Sequence, residues 1–320
     1  ITGTLITMSS NTWIGMWMGL EINLLSIIPL LSNIKNKMES EAAMKYFITQ
    51  ALMSTTFMLS IIMMLSENMM KENISSMIMD TAILTKMGAA PFHFWFPEVM
   101  EGLTWINATI MLTWQKIAPM TIFMQSTKTI MFSSCIIVSS MIVSGLMGIN
   151  QTSLKKILAY SSINHIGWMM STMLTNLNSW TIYMTVYTFM TINIVMMLKP
   201  MNIFSITQMI TSMNKNKSIK IMFSMNFLSL GGIPPFIGFL PKWIIINSMI
   251  QEKMFMMTTL MIIMTLMTMF FYMRITFTSL LMTTTETNKT NQPNLNTQTT
   301  MLNFTILSLL SACPMMINFT

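Results

Sequence analysis

The chain has 320 residues, of which 53% are hydrophobic and only 8% are charged, and its formal net charge is +7. Soluble domains carry about 25% charged residues, so this chain cannot cover its surface with charge and must use lipid as its solvent. The composition therefore excludes a soluble globular protein and indicates an all-α polytopic membrane protein.

The residues that usually hold metals, clusters or nucleotides are scarce. The two cysteines, Cys135 and Cys313, lie far apart, and the two histidines are His93 and His165. No CxxC, glycine-rich dinucleotide or Walker pattern occurs, so we expect no disulfide framework, metal, iron–sulfur cluster or nucleotide on this chain. Methionine appears 46 times and is spread through the whole chain. This favours a genetic code that reads AUA as methionine, as animal mitochondria do, over a local Met-rich binding surface.

Crossing a bilayer takes about 20 apolar residues. On that basis we predict eleven segments: 1–8, 13–32, 46–66, 74–98, 103–124, 129–149, 154–175, 180–198, 219–250, 254–282 and 303–319. The first segment is too short to span, and we expect that about a dozen residues precede it. The Thr- and Asn-rich tract 283–302 predicts a polar loop.

Two segments contain the same helix-breaking phrase. Residues 91–98 read PFHFWFPE and residues 234–243 read PPFIGFLPKW, and the prolines form equally spaced pairs: Pro91 and Pro97, and Pro235 and Pro241, with Pro234 in addition. Proline cannot donate a backbone hydrogen bond and kinks a helix. The phrases fall in the fourth and ninth segments, which cross the membrane in opposite directions, and such pairs mark transport sites. A passive kink at each phrase is the alternative.

This arrangement predicts two inverted five-helix repeats with discontinuous helices. The first repeat would be residues 1–124, truncated at its N-terminus, and the second residues 129–282. The loop 283–302 and a C-terminal transmembrane helix over 303–320 would follow.

The lysines in the connections are distributed unequally between the two sides. One side holds ten, Lys35, Lys37, Lys45, Lys155, Lys156, Lys199, Lys215, Lys217, Lys220 and Lys289. The other holds only Lys71, Lys128 and Lys253. By the positive-inside rule, the N-terminus should face the matrix and the C-terminus the opposite side.

Four ionisable residues lie well inside predicted spans: Glu21, Lys86, Lys116 and Lys242. Each costs about 2.5–3.5 kcal/mol at a helix centre, which favours a functional role. Snorkelling to the headgroups is the alternative for lysines. It accounts for Arg274 and is an open alternative for Lys242, which both lie nearer the ends of their segments, but it is weak for Lys86 and Lys116, and the Glu21 side chain is too short for it.

Two further residues could belong to this set. His165 suits a proton relay because its charge changes near neutral pH, although a satisfied polar contact between helices is an equal alternative. Asp80 lies six residues before Lys86, which is not a helical pairing distance, so we expect it to be peripheral.

Five phrases carry a resemblance: GLEINLLSIIPLL, KMGAAPFHFWFPEV, LTWQKIAP, LKKILAYSSINHIGWMM and LSLGGIPPFIGFLPKW, spread over residues 19–243. Together they resemble the antiporter-like membrane subunits of respiratory complex I, in particular subunit 2 of mitochondrial NADH dehydrogenase from arthropods. The resemblance implies that Glu21 modulates Lys86 in the first broken helix. It also implies that Lys116 is the central lysine of a hydrophilic axis, and that Lys242 is the lysine of the second broken helix.

The resemblance also implies a function. The chain would be a core subunit of the proton-pumping membrane arm, multi-pass in the mitochondrial inner membrane, with no redox site of its own. NADH, FMN, iron–sulfur clusters and ubiquinone would be bound by other subunits. Its partners would be other membrane-arm and accessory subunits and lipids, cardiolipin among them, but no nucleic acid. A free-standing cation/proton antiporter and a scaffold subunit with vestigial charges are the alternatives.

Overall fold

The computed structural model describes residues 1–33, 36–65, 69–126, 129–213 and 217–281. All the regular elements within these ranges are helices: α1 (Thr2–Ser9), α2 (Trp13–Leu31), α3 (Lys37–Leu65), α4 (Met69–Met87), α5 (Trp95–Gly102), α6 (Trp105–Leu112), α7 (Trp114–Ser126), α8 (Ile130–Ile149), α9 (Leu154–Leu174), α10 (Leu177–Leu198), α11 (Ile206–Met213), α12 (Lys217–Gly231), α13 (Phe239–Gln251) and α14 (Phe255–Leu281). The predicted loop 283–302 and the last predicted helix lie outside the described residues.

Five of the described helices are long and apolar enough to cross a membrane: α2, α3, α8, α10 and α14. Their outer faces carry large exposed apolar side chains such as Leu25, Ile48, Phe189 and Phe270. Such faces are stable only against lipid or a neighbouring chain, so this protein is a multi-pass membrane protein.

Helix α9 occupies the centre of the bundle. Every residue from 154 to 173 except Lys156 is buried. The first half of α9, including Leu158 and Ile163, packs in one apolar cluster, and the second half, including Ile166 and Met170, packs in another. Because α9 is buried on all sides, polar residues on any of its faces contact other helices and not lipid.

Small residues bring neighbouring helices into close contact. A Cβ on Gly3 of α1 would lie 2.7 Å from the Gly19 carbonyl oxygen of α2, and a Cβ on Gly167 of α9 would lie 2.6 Å from Ser140 Oγ of α8. Small residues serve this purpose in membranes because lipid gives no hydrophobic drive for helix association. Helices α1 and α2 thus pair closely, as α8 and α9 do.

The described helices do not correspond one to one with the predicted segments. The predicted segment 103–124 is divided into α6 and α7 at Thr113, and the short helix α11 was not predicted. Pro119 lies within α7, beyond the division at Thr113, and leaves the Gln115 carbonyl without its usual N–H donor.

Candidate functional site

The first break in a helix, residues 88–94, separates α4 from α5. Gly88 has a φ of +77°, a left-handed conformation that glycine adopts without a steric penalty. Its N–H donates to the Thr85 carbonyl at 3.1 Å, and the Ala89 N–H donates to the Leu84 carbonyl at 3.0 Å. This pair of hydrogen bonds is a Schellman motif, which ends α4 and satisfies two of its last carbonyl groups.

The second break, residues 232–238, separates α12 from α13 in the same way. Gly232 has a φ of +76°. Its N–H donates to the Ser229 carbonyl at 3.0 Å, and the Ile233 N–H donates to the Leu228 carbonyl at 3.5 Å. The same C-terminal motif therefore ends the helix before each Pro-Phe phrase.

The prolines of each phrase have two different roles. Pro91 and Pro235 are exposed within the breaks, as is Pro234. Pro97 and Pro241 are buried at the third position of α5 and of α13. A first-turn proline lacks only an N–H that the helix would leave unpaired, so these two begin helices rather than interrupt them.

Side chains add hydrogen bonds to carbonyl groups at the two breaks. At the first break, Ser139 Oγ of α8 donates to the Ala90 carbonyl at 3.1 Å, and the Trp95 indole donates at 3.0 Å to the Thr85 carbonyl, which also accepts from the Gly88 N–H. At the second, Lys242 Nζ donates to the Gly231 carbonyl at 2.8 Å. Lys242 is buried in the protein interior, so it does not snorkel.

Lys86 lies buried in the last turn of α4, before the first break. The carboxylate of Glu21 on α2 is close enough to act on the Lys86 ammonium group electrostatically. The two groups do not form an ion pair, because none of the ion pairs among the described residues joins them. A cavity of about 20 Å³ borders Lys86, and its polar lining residues are Asn23, Tyr46, Gln50 and Gln115. This volume holds about one water molecule, which could exchange hydrogen bonds with the ammonium group.

Lys116, at the third position of α7, is the most deeply buried of these lysines, with 2% of its surface exposed. Its Nζ has no hydrogen-bond partner among the described residues. The ring of Phe96 lies 5.4 Å from Nζ and the ring of Tyr187 lies 5.3 Å from it.

His165 lies on the inner part of α9 and is 2% exposed. Its Nδ1 and the Tyr183 hydroxyl are 2.8 Å apart, and its ring centroid is 4.9 Å from that of Tyr187. This geometry is compatible with a relay and with a satisfied polar contact, so both interpretations remain.

Partners on other helices bind two further charged residues, and for Asp80 they correct the expectation. The Arg274 guanidinium donates to the carbonyl of Ile149, the last residue of α8, and the snorkelling expected of Arg274 stays a prediction. Asp80 was expected to be peripheral, but it is 2% exposed and accepts a hydrogen bond from Ser126 Oγ at 2.6 Å. In both cases the sequence gives distances along one helix only, whereas the partner is on another.

Sequence reasoning missed the uncharged residues around the lysines. Gln50 and Asn23 could have been found as polar residues within apolar helices, but Phe96 and Tyr187 look like ordinary core aromatics. Among the described residues, no three His, Cys, Asp or Glu side chains lie together in a way that could hold a metal.

A family model described as "NADH:quinone oxidoreductase/Mrp antiporter, TM" matches residues 10–270. Because this match spans most of the chain, the chain belongs to that family of membrane proteins.

Curated relatives identify the subunit family within this larger family of membrane proteins. The chain is 47% identical over 283 residues to NADH-ubiquinone oxidoreductase chain 2 of Locusta migratoria, which covers 88% of this chain and 83% of the relative. For chain 2 of Anopheles gambiae the identity is 44% over 282 residues, 87% of this chain and 82% of the relative. The chain is thus a member of the chain 2 family of NADH-ubiquinone oxidoreductase, and the resemblance to subunit 2 of arthropods is confirmed.

Solved structures share the fold. One is a chain of respiratory complex I from Thermus thermophilus with bound aureothin, with a TM-score of 0.85 and 20% identity over 96% of this chain and 75% of that chain. Another is a chain of the Mrp complex from Dietzia sp. DQ12-45-1b, with a TM-score of 0.79 and 13% identity over 98% and 74% of the two chains. The all-helical fold is therefore that of a complex I membrane subunit.

Proposed function

We propose that this chain is a proton-translocating membrane-arm subunit of NADH-ubiquinone oxidoreductase, with Glu21, Lys86, Lys116 and Lys242 as its relay. The supporting observation is that all three lysines are buried in the interior, two of them next to broken helices. Ionisable groups are costly inside membranes and mark ion or proton paths. His165, which is buried and within electrostatic reach of both Lys116 and Lys242, is a candidate additional member.

The breaks contribute fixed charge to this relay. The C-terminal end of a helix carries a partial negative charge from its unpaired carbonyl groups. Lys86 lies in the last turn of α4, and Lys242 reaches back across the second break to the last carbonyl of α12. Each lysine thus has a helix C-terminus that stabilises its ammonium form. A proton added or removed near Glu21 changes the field at Lys86, and the change passes through the buried lysines in turn.

The repeat architecture belongs to the same proposal. Eleven spans in two inverted five-helix units, 1–124 and 129–282, are supported by the constant offset between the breaks. Gly88 matches Gly232, and the N-terminal bond of Phe96 to His93 matches that of Leu240 to Ile237, at 2.9 and 3.1 Å. The lysine distribution supports an N-terminus in the matrix.

The proposed setting is the mitochondrial inner membrane. The chain would contact other membrane-arm and accessory subunits and lipids such as cardiolipin, and NADH, FMN, iron–sulfur clusters and ubiquinone would be bound elsewhere in the complex. The exposed apolar faces of α3 and α14 are suited to such neighbours.

Native electrophoresis of mitochondrial membranes with an NADH-oxidation stain tests this setting. We expect the chain to migrate in a very large NADH-oxidising assembly. Migration as a small separate protein would instead favour a free-standing cation/proton antiporter.

A lysine substitution tests the relay. Lys116→Ala should leave the complex assembled but lower coupled quinone reduction severalfold, because the central buried cation is lost. Lys199→Ala, which removes an exposed lysine at the end of α10, is the control. Wild-type pumping stoichiometry for Lys116→Ala in proteoliposomes would favour a scaffold with vestigial charges.

A further inference from the structure

The surroundings of the Lys116 ammonium group are unusual for a buried cation. None of the three ion pairs among the described residues includes Lys116, and its Nζ has no hydrogen-bond acceptor there. What it does have is two aromatic faces, those of Phe96 and Tyr187, at 5.4 and 5.3 Å. Both distances are within the range of about 6 Å in which a ring face attracts a cation, and the attraction is strongest where water is excluded.

Phe96 joins this ammonium group to the first break. It is the second residue of α5, and its N–H donates to the His93 carbonyl at 2.9 Å inside the break. On the side of α4 its side chain lies against Gly88, where an added Cβ would be 3.2 Å from Phe96 Cβ. A movement of the break therefore moves the ring that faces Lys116.

Tyr187 approaches the same ammonium group from α10. Its ring also contacts the His165 ring, with centroids 4.9 Å apart. Tyr187 thus lies between Lys116 and the candidate relay residue of α9. Its ring and its hydroxyl can be separated experimentally, because phenylalanine retains the ring alone.

We infer that Phe96 and Tyr187 form an aromatic clamp that stabilises the protonated form of Lys116, and that Phe96 transmits the conformation of the first break to this lysine. The inference rests on the proposed relay and adds two positioning residues to it. The clamp explains how a cation can be held without a carboxylate and still be released. Ring faces stabilise the ammonium form but offer no acceptor that would retain its proton.

Other charged and titratable groups near Lys116 also influence how activity depends on pH. Among the helices packed on α7, α2 contains Glu21 and α4 contains Asp80 and Lys86, with Lys71 and Glu72 near the start of its sequence, whereas α1 and α6 have no ionisable side chains. Further groups in the surrounding interior are His165, Lys242, Tyr46, Tyr183 and Tyr187. Phe96→Leu leaves all of these groups in place, whereas Tyr187→Leu also removes one hydroxyl, for which Tyr187→Phe is the control.

The test compares ring removal with hydroxyl removal in the assembled complex. Phe96→Leu and Tyr187→Leu should lower the proton affinity of Lys116 about threefold to tenfold, so the alkaline limb of coupled quinone reduction moves about 0.5–1 pH unit downward. Tyr187→Phe should leave the limb in place. Phe223→Leu, in a buried aromatic cluster of α12, controls for the cavity that a leucine leaves.

The outcomes separate the clamp from the relay itself. If Lys116→Ala lowers coupled activity while the leucine variants keep the wild-type pH profile, the clamp is wrong and the relay stands. If Lys116→Ala has no effect, the relay fails as well. An equal shift in Tyr187→Phe and Tyr187→Leu would assign the effect to the hydroxyl and overturn the clamp. Should Phe96→Leu fail to assemble, Phe96→Met removes the ring with a smaller change in volume and is subject to the same criterion.

Discussion

At the first break the side chains that donate to backbone carbonyl groups are the uncharged Trp95 and Ser139, whereas at the second break the donor is the buried Lys242 itself. The glycines at which the two breaks begin also differ in the side chain that packs against them, which is uncharged at the first break and charged at the second. The side chain of Phe96 packs on Gly88, but the ammonium end of Lys242 packs on Gly232. The two breaks thus share a backbone conformation, but uncharged side chains surround the first and an ammonium group lies in the second.

The difference shows that two segments with the same backbone conformation can carry their charged side chains at different positions. In the register that aligns the breaks, Lys242 corresponds to Glu98, which is exposed and pairs with Lys45 at 2.9 Å. Lys86 corresponds to Leu230 in the same register. Lys86 is therefore free to respond to Glu21, while Lys242 also holds its break together.

The largest expected effect separates these two lysines. Lys242→Met should lower both coupled activity and stability, because the buried Gly231 carbonyl loses its donor at a cost of about 1–3 kcal/mol. Lys86→Met should lower activity with little change in stability. Thermal dissociation of the purified complex measures the difference, and equal stability of the two variants would remove this distinction between the breaks.

The second expectation concerns the two glycines. Both alanine variants force a side chain into a left-handed conformation, which costs about 1–2 kcal/mol. In Gly232→Ala the new Cβ would also lie 2.7 Å from Lys242 Nζ, so this variant should lose more coupled activity than Gly88→Ala. A larger loss of turnover in Gly88→Ala would show that the first break is the more sensitive one.

A smaller effect is expected for the Glu21–Lys86 interaction. A double-mutant cycle on turnover, with Glu21→Gln and Lys86→Met, should give a coupling energy on the order of 1–2 kcal/mol, because opposite charges attract each other beyond ion-pair distance where the surroundings are less polar than water. Additive losses would show that the carboxylate does not act on this lysine.

The smallest effect is expected for Trp95→Phe. This change removes the indole donor to the Thr85 carbonyl but keeps an aromatic ring, and should cost about 1 kcal/mol of stability. Thermal dissociation is again the measurement. A loss as large as that of Lys242→Met would mean that an indole and an ammonium group contribute equally to the breaks.

Local chemistry made the helix interruptions accessible from sequence. Pro91 and Pro235 cannot donate hydrogen bonds, so their positions required no knowledge of the fold, whereas the left-handed Gly88 and Gly232 were identified only from the structure. The burial of Lys86, Lys116 and Lys242 was accessible too, since each lies inside an apolar segment.

The remaining features depend on contacts between helices. The Arg274 contact with the end of α8 and the Asp80–Ser126 hydrogen bond join residues far apart in sequence. The ring faces around Lys116 depend on how α5 and α10 approach α7. A single sequence has no pattern that specifies such approaches.

The burial of α9 on all sides has a consequence for biosynthesis. It is not among the five described helices that are long and apolar enough to cross a membrane, and its Lys155, Asn164 and His165 side chains are buried in the bundle. A nascent α9 alone in lipid would expose these groups at several kcal/mol. Helix α8, which packs closely on α9 and is synthesised immediately before it, can shield part of that surface. We therefore expect the two helices to enter the bilayer as a hairpin, and α9 to become fully buried only after the later helices have been inserted.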